Sequence, residues 1–248
     1  DPPCLPSFAV LSVVKLLTGV HVITDWHNLG YSIVMNVHHF SETSPIVRLL
    51  RAYELLIPRL FDTHLTVTDA LRAFLIRQGY PADAVVTFHD KPATIISREF
   101  SDRVALLARL QPSFPDYAQG IVSDIVAGDA SVVCAVSSTS WTPDEDFGVL
   151  FDALCAYDRR TETLPRVVVF ITGKGPLRAE YERRIREAAL QRVCIVPVWL
   201  EHADYPELLA CCDFGVSLHA SSSKLDLPMK VLDMFGCTIP VLAFDYPT

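Results

Sequence analysis

The stretch "RVVVFITGKGPLRAEYERRIREAALQRVCIVPVWL", residues 166–200, contains two apolar runs separated by a long polar segment. The runs "RVVVFITG" and "CIVPVWL" are rich in β-branched residues, which favours strands buried on both faces. The segment between them, "PLRAEYERRIREAALQ", has the spacing of an amphipathic helix and starts with a proline. Strand, helix and strand in this order predict a parallel β-α-β unit.

The same alternation extends over most of the chain. Further strand-like runs are "HVITDW", "HLTVTD", "AVVTFHD", "SVVCAVSS", "FGVSLH" and "PVLAFD", with amphipathic helical segments between them. This alternation predicts an α/β protein with parallel sheets covered by helices. Between residues 97 and 129 the pattern weakens, with two prolines and two glycines. We therefore expect one domain over residues 1–97, a linker over 98–129, a second domain over 130–248 and a binding cleft between the domains.

Composition narrows the classes of partner. The chain has 248 residues, half of them hydrophobic and a fifth charged, which is enough for one large or two small domains. Its net charge of −8 argues against a nucleic-acid partner. Its seven cysteines include no Cys-x-x-Cys pair, which is typical of reduced, buried thiols facing cytosol. No spacing of His, Cys and Asp matches a zinc site, so no metal centre is predicted.

The amino-terminal region shows no signal peptide, because it lacks a basic segment before an apolar one. The chain begins "DPPCLPSF" without a methionine, so it is expected to be a fragment. The most apolar window, "FAVLSVVKLLTGVHVIT" (residues 8–24), is interpreted as a helix followed by a strand. A segment that dips into a membrane is the minor alternative.

Two strand ends on the amino-terminal side are candidates for catalysis. In "TDWHNLGYS" (residues 24–32), Asp25 or His27 could accept a proton from a substrate hydroxyl, although a lone histidine more often has a structural hydrogen-bonding role. Trp26 and Asn28 complete this polar and aromatic cluster and are expected to line the cleft. In "TFHDKPA" (residues 87–93), Lys91 either points into the cleft or is a solvated turn lysine.

Two strand ends on the carboxyl-terminal side carry groups that could bind an anion or a sugar. "VSSTSWTPDEDF" (residues 136–147) offers the hydroxyls of Ser138 and Thr139, while its acids are interpreted mainly as favouring a helix dipole. In "FITGKGPL" (residues 170–177), Gly173, Lys174 and Gly175 form either an anion-binding loop or a plain turn. The spacing is not that of a Walker A loop.

A third strand end combines most of these groups. In "HASSSKLDLPMKVLDMFG" (residues 219–236), a loop with Ser221, Ser222 and Ser223 precedes a helix with Lys230 and Asp233. A capping loop rich in serine is the alternative. A binding role is favoured because Lys230 and Asp233 lie three residues apart and share a helix face, where a cation and a carboxylate suit a diphosphate and a ribose.

Several of these motifs together resemble one family. They are "PPCLPS" (2–7), "ITDWHNLGYSI" (23–33), "VSSTSWTPDEDF" (136–147), "ITGKGPL" (171–177), "PVWLEHADYPELL" (197–209) and "LHASSSKLDLPMKVLDMFGC" (218–237). They are similar to segments of the chitobiosyldiphosphodolichol β-mannosyltransferases. The resemblance covers nearly the whole chain, from Pro2 to about Ala243. The sequence departs from the pattern at Lys224, where the family has a small residue, usually glycine, and in "VTDAL", where it tends to have "VTNAM".

The resemblance implies a GT-B fold, with two Rossmann-like parallel-sheet domains facing a cleft. It implies an inverting transferase that moves mannose from GDP-mannose to dolichyl-diphosphate chitobiose in a β-1,4 linkage, on the cytosolic face of the endoplasmic reticulum. Asp25 or His27 would be the base. Lys174, Lys230 and the backbone of Ser221 to Ser223 would hold the diphosphate, and Asp233 the ribose. Asp233 matches the second of two glutamates that mark retaining GT-B enzymes, and Leu225 stands at the first, which agrees with inversion.

Further expectations follow from the resemblance. The family's membrane anchor, first βα units and final helices are absent, so both ends of the chain are expected to be truncated. No tightly bound cofactor is implied, although the family pattern leaves room for loosely bound Mg²⁺. Other early mannosyltransferases of the dolichol pathway are expected partners. The alternatives are a GT-B transferase with another nucleotide sugar or lipid acceptor, and a truncated, inactive paralogue.

Overall fold

The computed structural model describes residues 4–96, 102–127, 129, 131–142, 145–219 and 222–245, without the side chains of Cys4 and Leu5. These residues form two compact units. The first comprises the described residues of Asp1–Asp90 and Ser221–Leu227 with Asp245, and the second comprises those of Lys91–Ala220 and Pro228–Phe244. Among the described helices, none is long and apolar enough to span a lipid bilayer.

The first unit is built on a parallel sheet of three strands. Its elements are α1 (Cys4–Thr18), β1 (Ile23–Trp26), α2 (Gly30–Val37), α3 (Pro45–Leu56), β2 (Thr63–Thr66), α4 (Asp69–Arg77) and β3 (Val85–Thr87), and its strands pair in the order β1-β2-β3. In the register of β1 and β2, Asp25 lies opposite Leu65 and Trp26 opposite Thr66. The polar residues after β1 and β3 are therefore at the same, carboxyl edge of this sheet.

Glu54 of α3 fixes the start of α2. Its side chain is almost fully buried, and its carboxylate accepts hydrogen bonds from the backbone N–H groups of Gly30 (2.6 Å) and Tyr31 (2.8 Å). Burial raises the pKa of Glu54, while the two N–H donors act in the opposite direction. Because Gly30 follows the "TDWHN" segment by one residue, this buried carboxyl group helps to hold the end of β1 and its polar loop in place.

The second unit has a parallel sheet of five strands in the order β6-β5-β4-β7-β8. The strands are β4 (Val132–Ser138), β5 (Arg166–Thr172), β6 (Val193–Val198), β7 (Phe214–Ser217) and β8 (Val241–Ala243). The helices are α5 (Arg103–Leu110), α6 (Gln119–Val126), α7 (Phe147–Asp158), α8 (Arg178–Ala188), α9 (Asp204–Cys211) and α10 (Met229–Gly236). The chain runs outward from β4 to β6 and then returns to place β7 on the other side of β4, which is the Rossmann-like arrangement.

The core of this second sheet explains its sequence pattern. Val168, Phe170 and Val196 are buried on one face of the sheet, and Val169, Ile171 and Ile195 are buried on the other. Strands covered on both faces need continuous apolar runs rather than alternating ones. Residues 98–129, interpreted from the sequence as a linker, include α5 and α6, which contribute buried side chains to the first of these faces.

The loop between β7 and α10 contains a residue in an unusual backbone conformation. Lys224 has a φ of 56°, in the left-handed region where residues other than glycine are strained. This is the position at which the sequence pattern favours glycine. Lys224→Gly is therefore expected to raise the free energy of unfolding by about 0.5–1 kcal/mol, because relief of strain exceeds the entropy that glycine loses on folding.

Urea denaturation of the wild type and the variant measures this difference. Lys224→Ala is the matched control, since it removes the same charge but keeps the Cβ atom that causes the strain. A gain in stability for the alanine variant as large as that for glycine would show that charge, and not backbone conformation, limits this loop.

Candidate active site

The order of strands in the second sheet indicates where a ligand could bind to this unit. The order reverses between β4 and β7, which are neighbours in the sheet although three helices separate them along the chain. In open α/β sheets the crevice at such a reversal, beyond the carboxyl ends of the strands, is where ligands bind. The loop after β4 and the loop after β7 both begin there, and they contain Thr139 and the serines at 221–223, four of the ten residues predicted from the sequence to bind a donor.

Glu145 joins both of these loops to the start of α10. Its carboxylate forms an ion pair with Lys230, lies 3.7 Å from Nδ1 of His219 and accepts a hydrogen bond of 2.8 Å from the backbone N–H of Ser140. The Glu145 side chain is only 9% exposed. Although burial opposes ionisation, His219, Lys230 and the Ser140 N–H hold the pKa of Glu145 well below its usual 4.5.

This result changes the interpretation of the acids in the β4–α7 loop. The expectation that they mainly favour the helix dipole is wrong for Glu145, whose partners are far from it in sequence. It is confirmed for Asp146, which caps α7 by accepting a hydrogen bond of 2.9 Å from the N–H of Gly148. Asp144 lies outside the described residues.

A second network contains Ser138 and Asp233, two of the predicted donor-binding residues. The Ser138 hydroxyl lies 2.9 Å from the Tyr205 hydroxyl and accepts a hydrogen bond of 3.1 Å from Thr172. Tyr205 also hydrogen-bonds Asp233 on α10, and burial raises the pKa of that carboxyl group. Burial raises the pKa of Tyr205 to about 12 as well. The phenol therefore remains a donor at neutral pH and connects the end of β4 with α10.

The two glycines after β5 are required by contacts with another loop of the same chain. A Cβ atom on Gly173, whose φ is 136°, would lie 1.8 Å from the carbonyl oxygen of Thr139, and one on Gly175 would lie 1.7 Å from that of Ser140. These clashes show that the β5–α8 loop packs directly on the β4–α7 loop. Trp141, buried and with a φ of 49°, anchors the latter loop against Phe147.

Two further predicted donor-binding residues have their own contacts. Lys174 places its ammonium group 3.7 Å from the centre of the Trp199 ring, a cation–π contact. Trp199 follows β6 and is half exposed, so this pair lies at the same carboxyl edge of the sheet. The Thr139 hydroxyl accepts a hydrogen bond of 3.2 Å from the N–H of Trp141 and so supports its own loop.

In the first unit, the predicted catalytic residues are brought together with a third group. His27 Nε2 lies 3.1 Å from Oδ2 of Asp25, and His27 Nδ1 lies 3.4 Å from Oδ2 of Asp90. Both ring nitrogens thus face a carboxylate. The Asp25 side chain is 57% exposed, and no partner for its Oδ1 is found in the part of the chain that the structure describes. Asp25 therefore has the most exposed side chain of the three groups.

The remaining predicted residues occupy more varied surroundings. Trp26 is buried in the core of the first unit, where its indole N–H faces His64 at 3.4 Å. Asn28 accepts a hydrogen bond of 2.7 Å from the N–H of Leu29, and Lys91 is exposed. The Ser222 hydroxyl lies 2.9 Å from that of Ser32, and the Ser223 hydroxyl accepts from the N–H of Leu225. Ser221 lies outside the described residues.

Nearly the whole chain is similar in sequence to known proteins that share one name. The chain is 41% identical to the human chitobiosyldiphosphodolichol β-mannosyltransferase over 268 residues, which cover 99% of the chain and 57% of that protein. It is 40% identical to the enzyme of the same name from Eremothecium gossypii, over all of the chain and 52% of that protein. The chain is homologous to the chitobiosyldiphosphodolichol β-mannosyltransferases. It spans about half the length of these relatives. No family model matches it.

Solved structures show that the fold is of the GT-B type. The crystal structure of Anabaena Alr3699/HepE in complex with UDP and glucose superimposes with a TM-score of 0.60 over 96% of this chain and 56% of that one, at 17% identity. The apo form of the lipopolysaccharide outer core galactosyltransferase WaaB superimposes with a TM-score of 0.53 over 95% of this chain and 59% of that one, at 14% identity. The predicted α/β class with Rossmann-like parallel sheets and the predicted family resemblance are both confirmed.

Four residues of this β-mannosyltransferase homologue contact predicted site residues within their own unit but were given no role from the sequence. They are Asp90, Glu145, Trp199 and Tyr205. Asp90 follows β3, and Asp25 is the last residue but one of β1, so the position of Asp90 after a strand was a usable signal. Tyr205 and Trp199 lie within the quoted "PVWLEHADYPELL" motif, but their contacts to Asp233 and Lys174 join distant parts of the sequence.

Proposed function

We propose that this chain is part of an inverting glycosyltransferase that moves mannose from GDP-mannose to dolichyl-diphosphate chitobiose, forming a β-1,4 linkage. The observation that carries this proposal is the homology to enzymes of that name over essentially the whole chain. The position of the candidate residues at the strand reversal of a Rossmann-like sheet supports it, since nucleotides bind at such reversals.

In the proposed reaction, the acceptor hydroxyl attacks the anomeric carbon of mannose in a single displacement. The new bond from oxygen to the anomeric carbon forms as the bond from that carbon to the GDP phosphate breaks. The proton of the hydroxyl passes to Asp25, and the bonding electron pair leaves with GDP. One displacement inverts the anomeric carbon, which converts an α-linked donor into a β-linked product.

The second unit is proposed to bind the donor. Lys174 and Lys230 carry positive charge beside the loops at the carboxyl edge of the sheet, where they can offset the negative charge that develops on the departing diphosphate. Glu145 and Trp199 hold these two ammonium groups in place. Asp233 is proposed to bind the ribose, with Tyr205 orienting its carboxyl group. Thr139, Gly173, Gly175 and the serines at 221–223 remain proposed contributors to the donor site.

The wider setting is proposed from the same homology. The chain would act at the cytosolic face of the endoplasmic reticulum membrane, beside other early mannosyltransferases of the dolichol pathway. The reaction as written needs no tightly bound cofactor. Mg²⁺ would at most accompany the diphosphate, and its effect can be measured directly by adding a chelator to the assay.

The proposal is tested by nucleotide binding and by transfer. Isothermal titration with GDP, UDP and ADP should show tightest binding of GDP, and radioactive mannose should pass from GDP-mannose to a chitobiosyl-diphosphate lipid. Tighter binding of UDP would contradict GDP-mannose as the donor. Binding of GDP without any transfer, even at high concentrations of protein, would favour the inactive paralogue.

A further inference from the structure

The outward side of α3 is apolar, which is unusual for a helix at a protein surface. A helix at a surface normally turns charged and polar side chains to solvent. Here the side chains that lie along the solvent-facing line of α3 and of the turn after it are large and aliphatic, at helical spacings of three, seven and four. Each of them is more than half exposed, and they are Ile46, Leu49, Leu56 and Leu60.

The helix α3 does have a core face, so the lack of one does not explain the exposure of these side chains. The opposite side of the helix buries Val47 and Leu55 in the first unit, and it carries the buried Glu54 that holds the start of α2. The helix thus has one apolar face that is satisfied within the unit and a second one that is not.

The neighbouring helix α1 carries further exposed aliphatic side chains. The backbone N–H of Ala9 donates a hydrogen bond of 2.9 Å to the Tyr53 hydroxyl, so α1 and α3 are neighbours. On α1, four aliphatic side chains are again more than half exposed, namely Val10, Val13, Leu16 and Leu17. We refer to these four residues together with Ile46, Leu49, Leu56 and Leu60 as the α1–α3 face.

The exposed charges on α3 itself have one sign, whereas the exposed Glu42 precedes the helix and Lys15 of α1 pairs with Asp62. Arg48 and Arg51 of α3 are exposed, and no ion pair to an acid is found for either of them within the described residues. The only acid between Pro45 and Leu60 is Glu54, which is buried. A helix such as α3, with an aliphatic stripe, flanking arginines and no exposed acid of its own, is typical of helices that lie in the interface of an anionic bilayer, with their apolar side chains among the acyl chains.

We propose that the α1–α3 face docks the first unit onto the surface of a membrane that contains anionic lipids. The aliphatic side chains enter the boundary between headgroups and acyl chains, and Arg48 and Arg51 contact the phosphates. The purpose of this docking rests on the proposed function, because a lipid-linked acceptor is presented at a membrane surface. The docking itself can be measured without donor or acceptor.

The experiment is sedimentation of the purified chain with vesicles of phosphatidylcholine, alone or mixed with phosphatidylserine. The wild type should bind the mixed vesicles more tightly than the neutral ones. Leu49→Glu combined with Leu56→Glu should weaken binding at least about tenfold, since two apolar contacts are lost and two negative charges meet an anionic surface. Arg48→Gln should reduce the preference for phosphatidylserine.

Val149→Glu is the matched control. Val149 is 45% exposed on α7 of the second unit, so the change is of similar kind but lies outside the α1–α3 face. Its binding to vesicles should equal that of the wild type. Circular dichroism of each variant establishes that the fold is kept, as expected for exposed positions.

Three results would overturn the proposal. They are a wild type that does not sediment with either vesicle, equal binding by the Leu49 and Leu56 double variant, and loss of binding by the Val149 variant. Light scattering without vesicles adds a further outcome. If the wild type is a dimer and the double variant a monomer, the α1–α3 face joins two copies of the chain instead. Failure of mannosyl transfer leaves the vesicle result standing, so the two proposals fail separately.

Discussion

Asp25→Asn is expected to lower kcat for mannosyl transfer by about 10²–10⁴-fold, the range found when a general base is removed. The asparagine has the same shape and keeps an oxygen that can accept a hydrogen bond from His27. It cannot accept the proton of the acceptor hydroxyl. Because Asp25 belongs to the first unit and the proposed donor contacts at Lys174, Lys230 and Asp233 to the second, the affinity for GDP should be unchanged. Steady-state kinetics and titration with GDP measure the two quantities separately.

Variants at the neighbours of Asp25 identify which group is the base. His27→Ala leaves the Asp25 carboxylate present but unsupported, so we expect a smaller loss of about tenfold, as for a residue that orients a catalytic group. Asp90→Asn removes the charge facing the other ring nitrogen and should have a weaker effect still. If His27→Ala were the more damaging change and Asp25→Asn nearly harmless, the imidazole would be the base and Asp25 its partner.

The strands were predictable because their burial leaves a strong local signal. Each of the eight strand-like runs overlaps one strand of the structure, and β2 and β6 begin one residue before their runs. In β5, "RVVVFIT" is apolar throughout because helices cover both faces of the sheet, and no surface helix of this length needs such a run. The position of β7 beside β4 was not predictable in this way, since strand order depends on packing between distant segments.

The role of glycine in the β5–α8 loop illustrates a limit of local patterns. The sequence "GKGP" indicates that a backbone comes close to something, which is correct. It does not indicate whether that partner is a phosphate or another loop. The structure shows the carbonyl groups of Thr139 and Ser140 in the space that Cβ atoms on Gly173 and Gly175 would fill. The two loops are more than thirty residues apart, so only the fold reveals this contact.

Glu145 shows the same limit for charged residues. The helix dipole and capping usually explain why an acid lies two residues before a helix. Its ion-pair partner Lys230 is 85 residues away in sequence. Nothing in the local spacing distinguishes Glu145 from Asp146, although one connects two loops with the start of α10 and the other caps α7.

Glu145→Ala is expected to lower the free energy of unfolding by about 3 kcal/mol, the lower end of the range for breaking a buried ion pair by removing one partner. The change leaves the ammonium group of Lys230, whose side chain is 19% exposed, and the Ser140 N–H without their acceptor. Glu145→Gln keeps the shape and one acceptor oxygen, so its loss should be smaller. Glu180→Gln, at an exposed position in the first turn of α8, is the matched control and should lower stability by less than about 1 kcal/mol, the value of a charge at a helix start.

The dependence on pH distinguishes the ion pair from simple packing. Since the pKa of Glu145 is lowered in the folded protein, the unfolded chain takes up the proton first as the pH falls below about 4.5. The stability that the carboxylate contributes is therefore fully present near neutral pH and is lost under acid conditions. The difference in unfolding free energy between the wild type and Glu145→Gln should shrink by about 1.4 kcal/mol for each pH unit below about 4. A difference that stayed constant down to about pH 3 would mean that side-chain shape, and not the charge opposite Lys230, makes Glu145 important to this site.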